Sequence, residues 1–208
     1  MSTNLAQDWF NAFFDKFVRT RQEDPKFGFN LSRPEWTRQM IQFLKELGEE
    51  RGYEVQTEGG HGRFDLFWHR NDTKIAIEHE INQKNIVESE LQKLMNVSSD
   101  LKVLVTYVRD YNLTTEPEEI CAKIRKELNK NVRHFKDLLL IIGTKSPGKR
   151  KEEKRTFMER ETDWFARRFY VGAVRMEILR PSGSFRAMKA WETRKKGEEP
   201  KDALNKRE

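Results

Sequence analysis

Asp65, Glu78 and Glu80 are the residues of this chain whose types and spacing best suit chemistry. Asp65 lies in the middle of Gly62–Trp68, and the two glutamates lie in Lys74–Ile81. Both stretches are dominated by aromatic and β-branched residues and read as strands, with Asn71-Asp72 as the turn between them. Alternation puts Ile75, Ile77, His79 and Ile81 on one face of the second strand, and Ala76, Glu78 and Glu80 on the other. A strand face with two carboxylates is costly unless they are solvated, paired or bound to a cation. With Asp65 as a third, the set forms a hard-oxygen site suited to Mg²⁺ or Mn²⁺. A carboxylate-bound Mg²⁺ suits phosphodiester hydrolysis, because it activates water, neutralises phosphate charge and stabilises the leaving oxygen.

The elements around these strands follow from hydrophobic periodicity. Leu5 to Arg21 places Trp9, Phe10, Phe13, Phe14 and Phe17 at helical spacing. This Phe-rich stripe reads as core, with the cover of a homodimer partner as the alternative. Ser32-Arg33-Pro34-Glu35 opens a second helix running to about Arg51, with Gly52 as its stop. Its apolar face is Trp36, Met40, Phe43, Leu44 and Leu47. A strand near Tyr53–Thr57 precedes the motif strands. A helix from Ile86 to Val97, with Val87, Leu91, Leu94 and Met95 apolar, follows them. Leu101–Val108 and Asp137–Gly143 are nearly continuous apolar runs, as in the interior of a sheet, and Pro117–Asn129 is a helix between them. Phe157–Tyr170 reads as a helix. Val171–Leu179 and Ser184–Trp191 read as a hairpin around Pro181-Ser182-Gly183.

Asp65, Glu78 and the residue at position 80, in this order of elements, resemble the PD-(D/E)XK nuclease superfamily, the restriction-endonuclease-like proteins. The family pattern is an Asp on one hairpin strand, then an acidic residue, any residue, and Lys on the next. Asp65 and Glu78 match the first two elements. Glu80 stands in the Lys position, as it does in some members. The resemblance covers about Pro34 to Thr144. It implies an α/β fold with a restriction-endonuclease-like core: a mixed central sheet flanked by helices, with an N-terminal helix and a C-terminal β-hairpin as extensions. It also implies that Asp65, Glu78 and the backbone carbonyl of His79 hold the metal, joined by an acidic residue of the first core helix, Glu35 or else Glu46. Glu80 acts as base or second-metal ligand, or a lysine from elsewhere, Lys93 or Lys84, takes the vacant role. The third outcome is that catalysis is lost.

Charge points to the partner. From Lys145 to Glu208 there are 19 Lys and Arg against 11 Asp and Glu, a net of +8, which leaves −2 on the first 144 residues. A basic C-terminal third on a near-neutral body suits an anionic partner, nucleic acid first and DNA in particular. Arg175, Arg180, Arg186 and Lys189, interleaved with Phe185 and Trp191, suit phosphates and bases. His61 and Arg63 lie in the Gly-rich loop leading to Asp65, where a substrate phosphate approaches. The chain divides into an N-terminal helical extension (1–30), a nuclease-like core (31–144), a basic extension of helix and hairpin (145–193) and a disordered tail (194–208). The single Cys121 excludes an internal disulfide and a Cys-rich zinc site. No apolar run approaches a membrane span and no signal peptide is visible, so a cytoplasmic protein is expected. The resulting expectation is a metal-dependent deoxyribonuclease. The competing one is a catalytically inactive nuclease-fold protein used for nucleic-acid binding or complex assembly.

Overall fold

The computed structural model describes residues 4–24, 27, 31–57, 64–82, 85–109, 116–130, 137–145, 165–170 and 175–179. Helix α1 (Leu5–Glu23) begins at Asn4, whose side chain accepts from the backbone N–H of Gln7. Helix α2 (Arg33–Glu50) begins with a reciprocal capping box between Ser32 and Glu35 and carries Pro34 in its first turn. Strands β1 (Glu54–Thr57), β2 (Leu66–Arg70) and β3 (Thr73–Glu80) follow. A π-helical turn (Ile86–Glu90) runs directly into α3 (Leu91–Asn96). Then come β4 (Leu101–Arg109), α4 (Glu116–Lys130), β5 (Asp137–Lys145), β6 (Phe165–Tyr170) and β7 (Arg175–Leu179).

The seven strands form one mixed sheet in chain order, β1 to β7. The first three pair antiparallel, β3–β4 and β4–β5 pair parallel, and β5–β6–β7 pair antiparallel. Asn71, at the β2–β3 turn, takes the left-handed conformation (φ 52°) that a tight hairpin requires. The two parallel steps run the same way across the sheet, so the favoured right-handed crossover sends α3 and α4 to one face. Helices α1 and α2 cover the other. There Trp9, Phe13, Phe17, Met40, Phe43 and Leu44 pack with Trp68, Ile75, Ile77, Val103 and Ile141. On the α3–α4 face, Ile86, Leu91, Leu94, Ile124 and Leu128 pack with Ala76, Leu104, Leu140 and Ile142. Each such buried side chain contributes roughly 1.5–3 kcal/mol.

The Phe stripe of α1 is therefore buried within the chain itself. Trp9 lies 5.5 Å from Trp68 and 5.7 Å from Phe13 between ring centroids. Lys16, inside this layer, binds Glu50 at 2.5 Å and Glu46 at 3.5 Å and tethers α1 to the end of α2.

Three expected elements differ. Asp65 precedes β2 instead of sitting mid-strand. The helix after the motif strands opens as a π-turn that also buries Ile86; Leu91, Leu94 and Met95 are buried as expected, and the side chain of Val87 lies outside the described residues. Phe165–Tyr170, expected within a helix, is strand β6. It alternates across the sheet edge, with Ala166 in one core and Phe169 in the other, and it covers β5. The hairpin it forms is with Arg175–Leu179. The expected strand Ser184–Trp191, the tail 194–208 and most of the basic linker after Lys145 lie outside the described residues. No described helix is long and apolar enough to cross a membrane.

Candidate active site

The β2–β3 register sets the geometry. Leu66 pairs with Ile77, so one further step places Asp65 across from Glu78 on the same sheet face. Asp65 is held there by its own carboxylate, whose Oδ2 accepts from the backbone N–H of His79 at 2.7 Å. Glu78 pairs in register with Leu104 of β4 and lies under the π-turn at 1% exposure. From that turn comes Glu90, 8% exposed, which hydrogen-bonds Glu78 and accepts from Ser89 Oγ at 2.8 Å. Lys93, one turn on, places its ammonium 2.6 Å from Glu90 Oε2 and 3.7 Å from Glu78 Oε1. Asp65, Glu78, Glu90 and Lys93 thus converge where β3 leaves the sheet.

Burial and crowding set the charge states. Desolvation, then the Asp65 charge, then the hydrogen bond to Glu90 push Glu78 up to about 9, against a smaller pull from Lys93. Burial alone would raise Glu90 as well. Hydrogen bonds from Lys93, Glu78 and Ser89 outweigh it and hold Glu90 below the usual carboxylate range. Burial would lower Lys93, but the hydrogen bond to Glu90 and the charges of Glu78, Glu90 and Asp65 raise it. At neutral pH the cluster is therefore a protonated Glu78, an ionised Glu90 and a cationic Lys93.

A divalent cation fits this donor set through Asp65 and Glu78. Glu78 Oε1 is buried and has no hydrogen-bond partner. A cation between it and Asp65 would satisfy that oxygen and offset the burial and the Asp65 charge that together keep Glu78 protonated. Among the described residues no three His, Cys, Asp or Glu side chains are placed to hold a metal together. Two carboxylates, with water and substrate phosphate for the remaining positions, are a usual complement for Mg²⁺.

The other expected residues are placed as follows. Glu80 shares the strand face of Glu78, but its carboxylate turns to the following loop, accepting from the Asn82 N–H at 2.5 Å and Asn85 Nδ2 at 3.1 Å. His79 points into the opposite layer, as alternation requires. Its Nε2 lies 2.9 Å from the Tyr107 hydroxyl, and burial depresses its pKa to about 4. Its link to the cluster is the backbone N–H. Glu35 is exposed at the start of α2, where hydrogen bonds from the Ser32 hydroxyl and N–H lower its pKa. Glu46 pairs with Lys16. Both belong to the helix that covers the far face of the sheet, so neither is brought to Asp65 and Glu78. His61, Arg63, Lys84, Arg180, Arg186 and Lys189 lie outside the described residues, as does the side chain of Arg175.

Glu90 escaped the sequence reading. Its signal was the Glu90-x-x-Lys93 spacing, which sets both side chains on one helical face directly after the hairpin. No protein-family model matches the chain, and comparison with curated proteins finds no match.

Proposed function

We propose that the chain is a metal-dependent nuclease of the restriction-endonuclease-like class, hydrolysing phosphodiester bonds in DNA. The observation that carries this reading is the convergence of Asp65, Glu78 and Lys93 around a buried carboxylate oxygen that lacks a hydrogen-bond partner. The order of elements, α2–β1–β2–β3–α3–β4–α4–β5 around a mixed sheet, supports it independently.

Asp65 and Glu78 would hold Mg²⁺ or Mn²⁺, with the His79 carbonyl beside them. When bound, the ion supplies an activated water and neutralises phosphate charge. Lys93 sets a fixed positive charge at the outer rim of the cluster, where a phosphate oxygen carrying developing charge can meet it. Glu90 and Ser89 hold that lysine. The His79 N–H fixes the Asp65 carboxylate so that it need not reorganise on binding. The basic C-terminal third supplies attraction for the DNA backbone.

The direct test is cleavage of linear, nicked, branched and single-stranded DNA with Mg²⁺ or Mn²⁺, stopped by EDTA. Glu78→Ala should abolish turnover and leave DNA binding intact. A panel with no cleavage by wild-type protein would reject the nuclease.

One observation favours a second reading, a catalytically inactive nuclease-fold protein that binds nucleic acid or assembles a complex. Position 80 carries no lysine, and its glutamate is engaged by the Asn82–Asn85 loop. DNA binding that is retained without any Mn²⁺ binding at Asp65 would select this reading.

A further inference from the structure

The nuclease motif places a lysine two residues beyond its second carboxylate. Here that position is Glu80, and its side chain is committed to Asn82 and Asn85. We infer that Glu90 is a positioning residue that clamps the Lys93 ammonium beside Glu78, so that the helix supplies the cation the strand lacks. This rests on the nuclease reading and deepens it.

The geometry differs from that of an ordinary i,i+3 surface pair. Such pairs hold two exposed, mobile chains and contribute little. Here the anion is fixed and the cation is not hidden. One oxygen of Glu90 is taken by Ser89 and the other by Lys93 at 2.6 Å, and Glu90 lies at 8% exposure against Glu78. The Lys93 side chain keeps 35% exposure, so the pair stays open to solvent on one side. The π-turn makes this possible. The Leu91 N–H bonds Ile86 O, five residues back, so Ile86 and Leu91 share the buried face and Glu90 sits beside them. Lys93 acts through charge alone and stays protonated, with no bond made or broken at its nitrogen.

The test uses the full chain with Mn²⁺ and duplex DNA. Glu90→Gln keeps size and shape but removes the charge. It should lower kcat roughly ten- to a hundredfold, the scale of a small misplacement of a catalytic group. KM should not change. Lys93→Ala should lose as much, the double variant no more, and added alkylamines should restore part of the Lys93→Ala rate. Glu80→Lys in the Lys93→Ala background should recover cleavage, because it returns the cation from the strand. Full kcat in Glu90→Gln, additive losses, or no recovery through Glu80→Lys would overturn the inference. A readout without turnover separates the clamp from the nuclease reading. The Lys93 ammonium should give a protected ¹⁵N-lysine signal in wild type that is lost in Glu90→Gln. Persistence of that signal sinks the clamp whether or not DNA is cut. Absence of cleavage by a folded, Mn²⁺-binding wild type sinks the nuclease reading and the catalytic use of the clamp together.

Discussion

Glu78 is a buried acid, and on the proposed nuclease reading its proton must leave before a cation can enter. Its pKa rises on folding from the ordinary 4.5 to about 9. Below the lower value it is protonated in both states and nothing is lost. Between the two values only the folded chain holds the proton, so stability falls as pH rises, by up to about 1.4 kcal/mol per unit. Above about 9 the loss is complete. Glu78→Gln should therefore raise the Tm of the metal-free protein, and by more at pH 8 than at pH 6. A Tm–pH curve parallel to wild type would refute this. The same proton opposes metal. Mn²⁺ affinity should climb about tenfold per pH unit from 6 to 8, with one proton released, as calorimetry in buffers of different ionisation enthalpy would read. His79 has the opposite slope. Its pKa falls from 6.5 to about 4 on folding, so its contribution is present above 6.5 and is lost as pH drops toward 4. Asp65 and Glu78 were legible in the sequence because a strand has a period of two and a hairpin turn fixes its register. The direction of the Glu80 side chain was not, because at a strand end the carboxylate is free to serve the next loop instead of its own face.

At the scale of elements, the helix after β3 is where periodicity leaves most unsaid. A 3.6-residue wheel aligns Val87 with Leu91 and hides Ile86 and Glu90. One π-turn shifts the phase and brings both inward. No composition rule announces such a turn, whereas the capping box of α2 was visible as Ser32-Arg33-Pro34-Glu35. That box also settles a test for Glu35. Glu35→Ala should lower stability through loss of its half of the capping box, read in urea unfolding, with Mn²⁺ affinity unchanged. A loss of Mn²⁺ binding would restore Glu35 to the metal site. Another close approach joins α2 to the sheet. A Cβ at Gly48 would come within 2.6 Å of Val55 Cγ2 and 2.8 Å of Trp68 Cε2. Gly48→Ala should therefore destabilise by about 1–3 kcal/mol, because the obstructing groups are packed core rather than flexible tips. A neutral effect in the same unfolding assay would mean that α2 can slide outward.

For the molecule as a whole, composition marks the C-terminal third as a basic extension, and part of it is sheet. β6 and β7 lay Ala166, Phe169 and Leu179 into the two cores, and Arg168 binds Asp137 of β5 at 2.6 Å. Polar, Arg-rich strands at a sheet edge do not stand out against a basic linker, which is why composition does not reveal β6. Deletion from residue 146 onward should expose β5 and yield aggregated protein. Deletion of 180–208 removes nine Lys and Arg against five Asp and Glu and leaves every described strand in place. That shorter truncation should fold, bind DNA more weakly and show a shallower dependence on salt. An unchanged salt slope would exclude residues 180–208 from the proposed DNA contact.

Strand order equals chain order throughout the sheet. Each strand leaving the ribosome therefore finds its pairing edge already made by the strand before it, and none must wait for a distant partner. Once Asn96 has emerged, every residue of the Asp65–Glu78–Glu90–Lys93 cluster has been synthesised, with β4 next to dock. The slow steps are the two parallel pairings, which need a helix to be spun between strands. Until β4 docks, the apolar edge of β3 stands open on the nascent chain, so this is the interval in which the protein is most exposed to misassembly during synthesis.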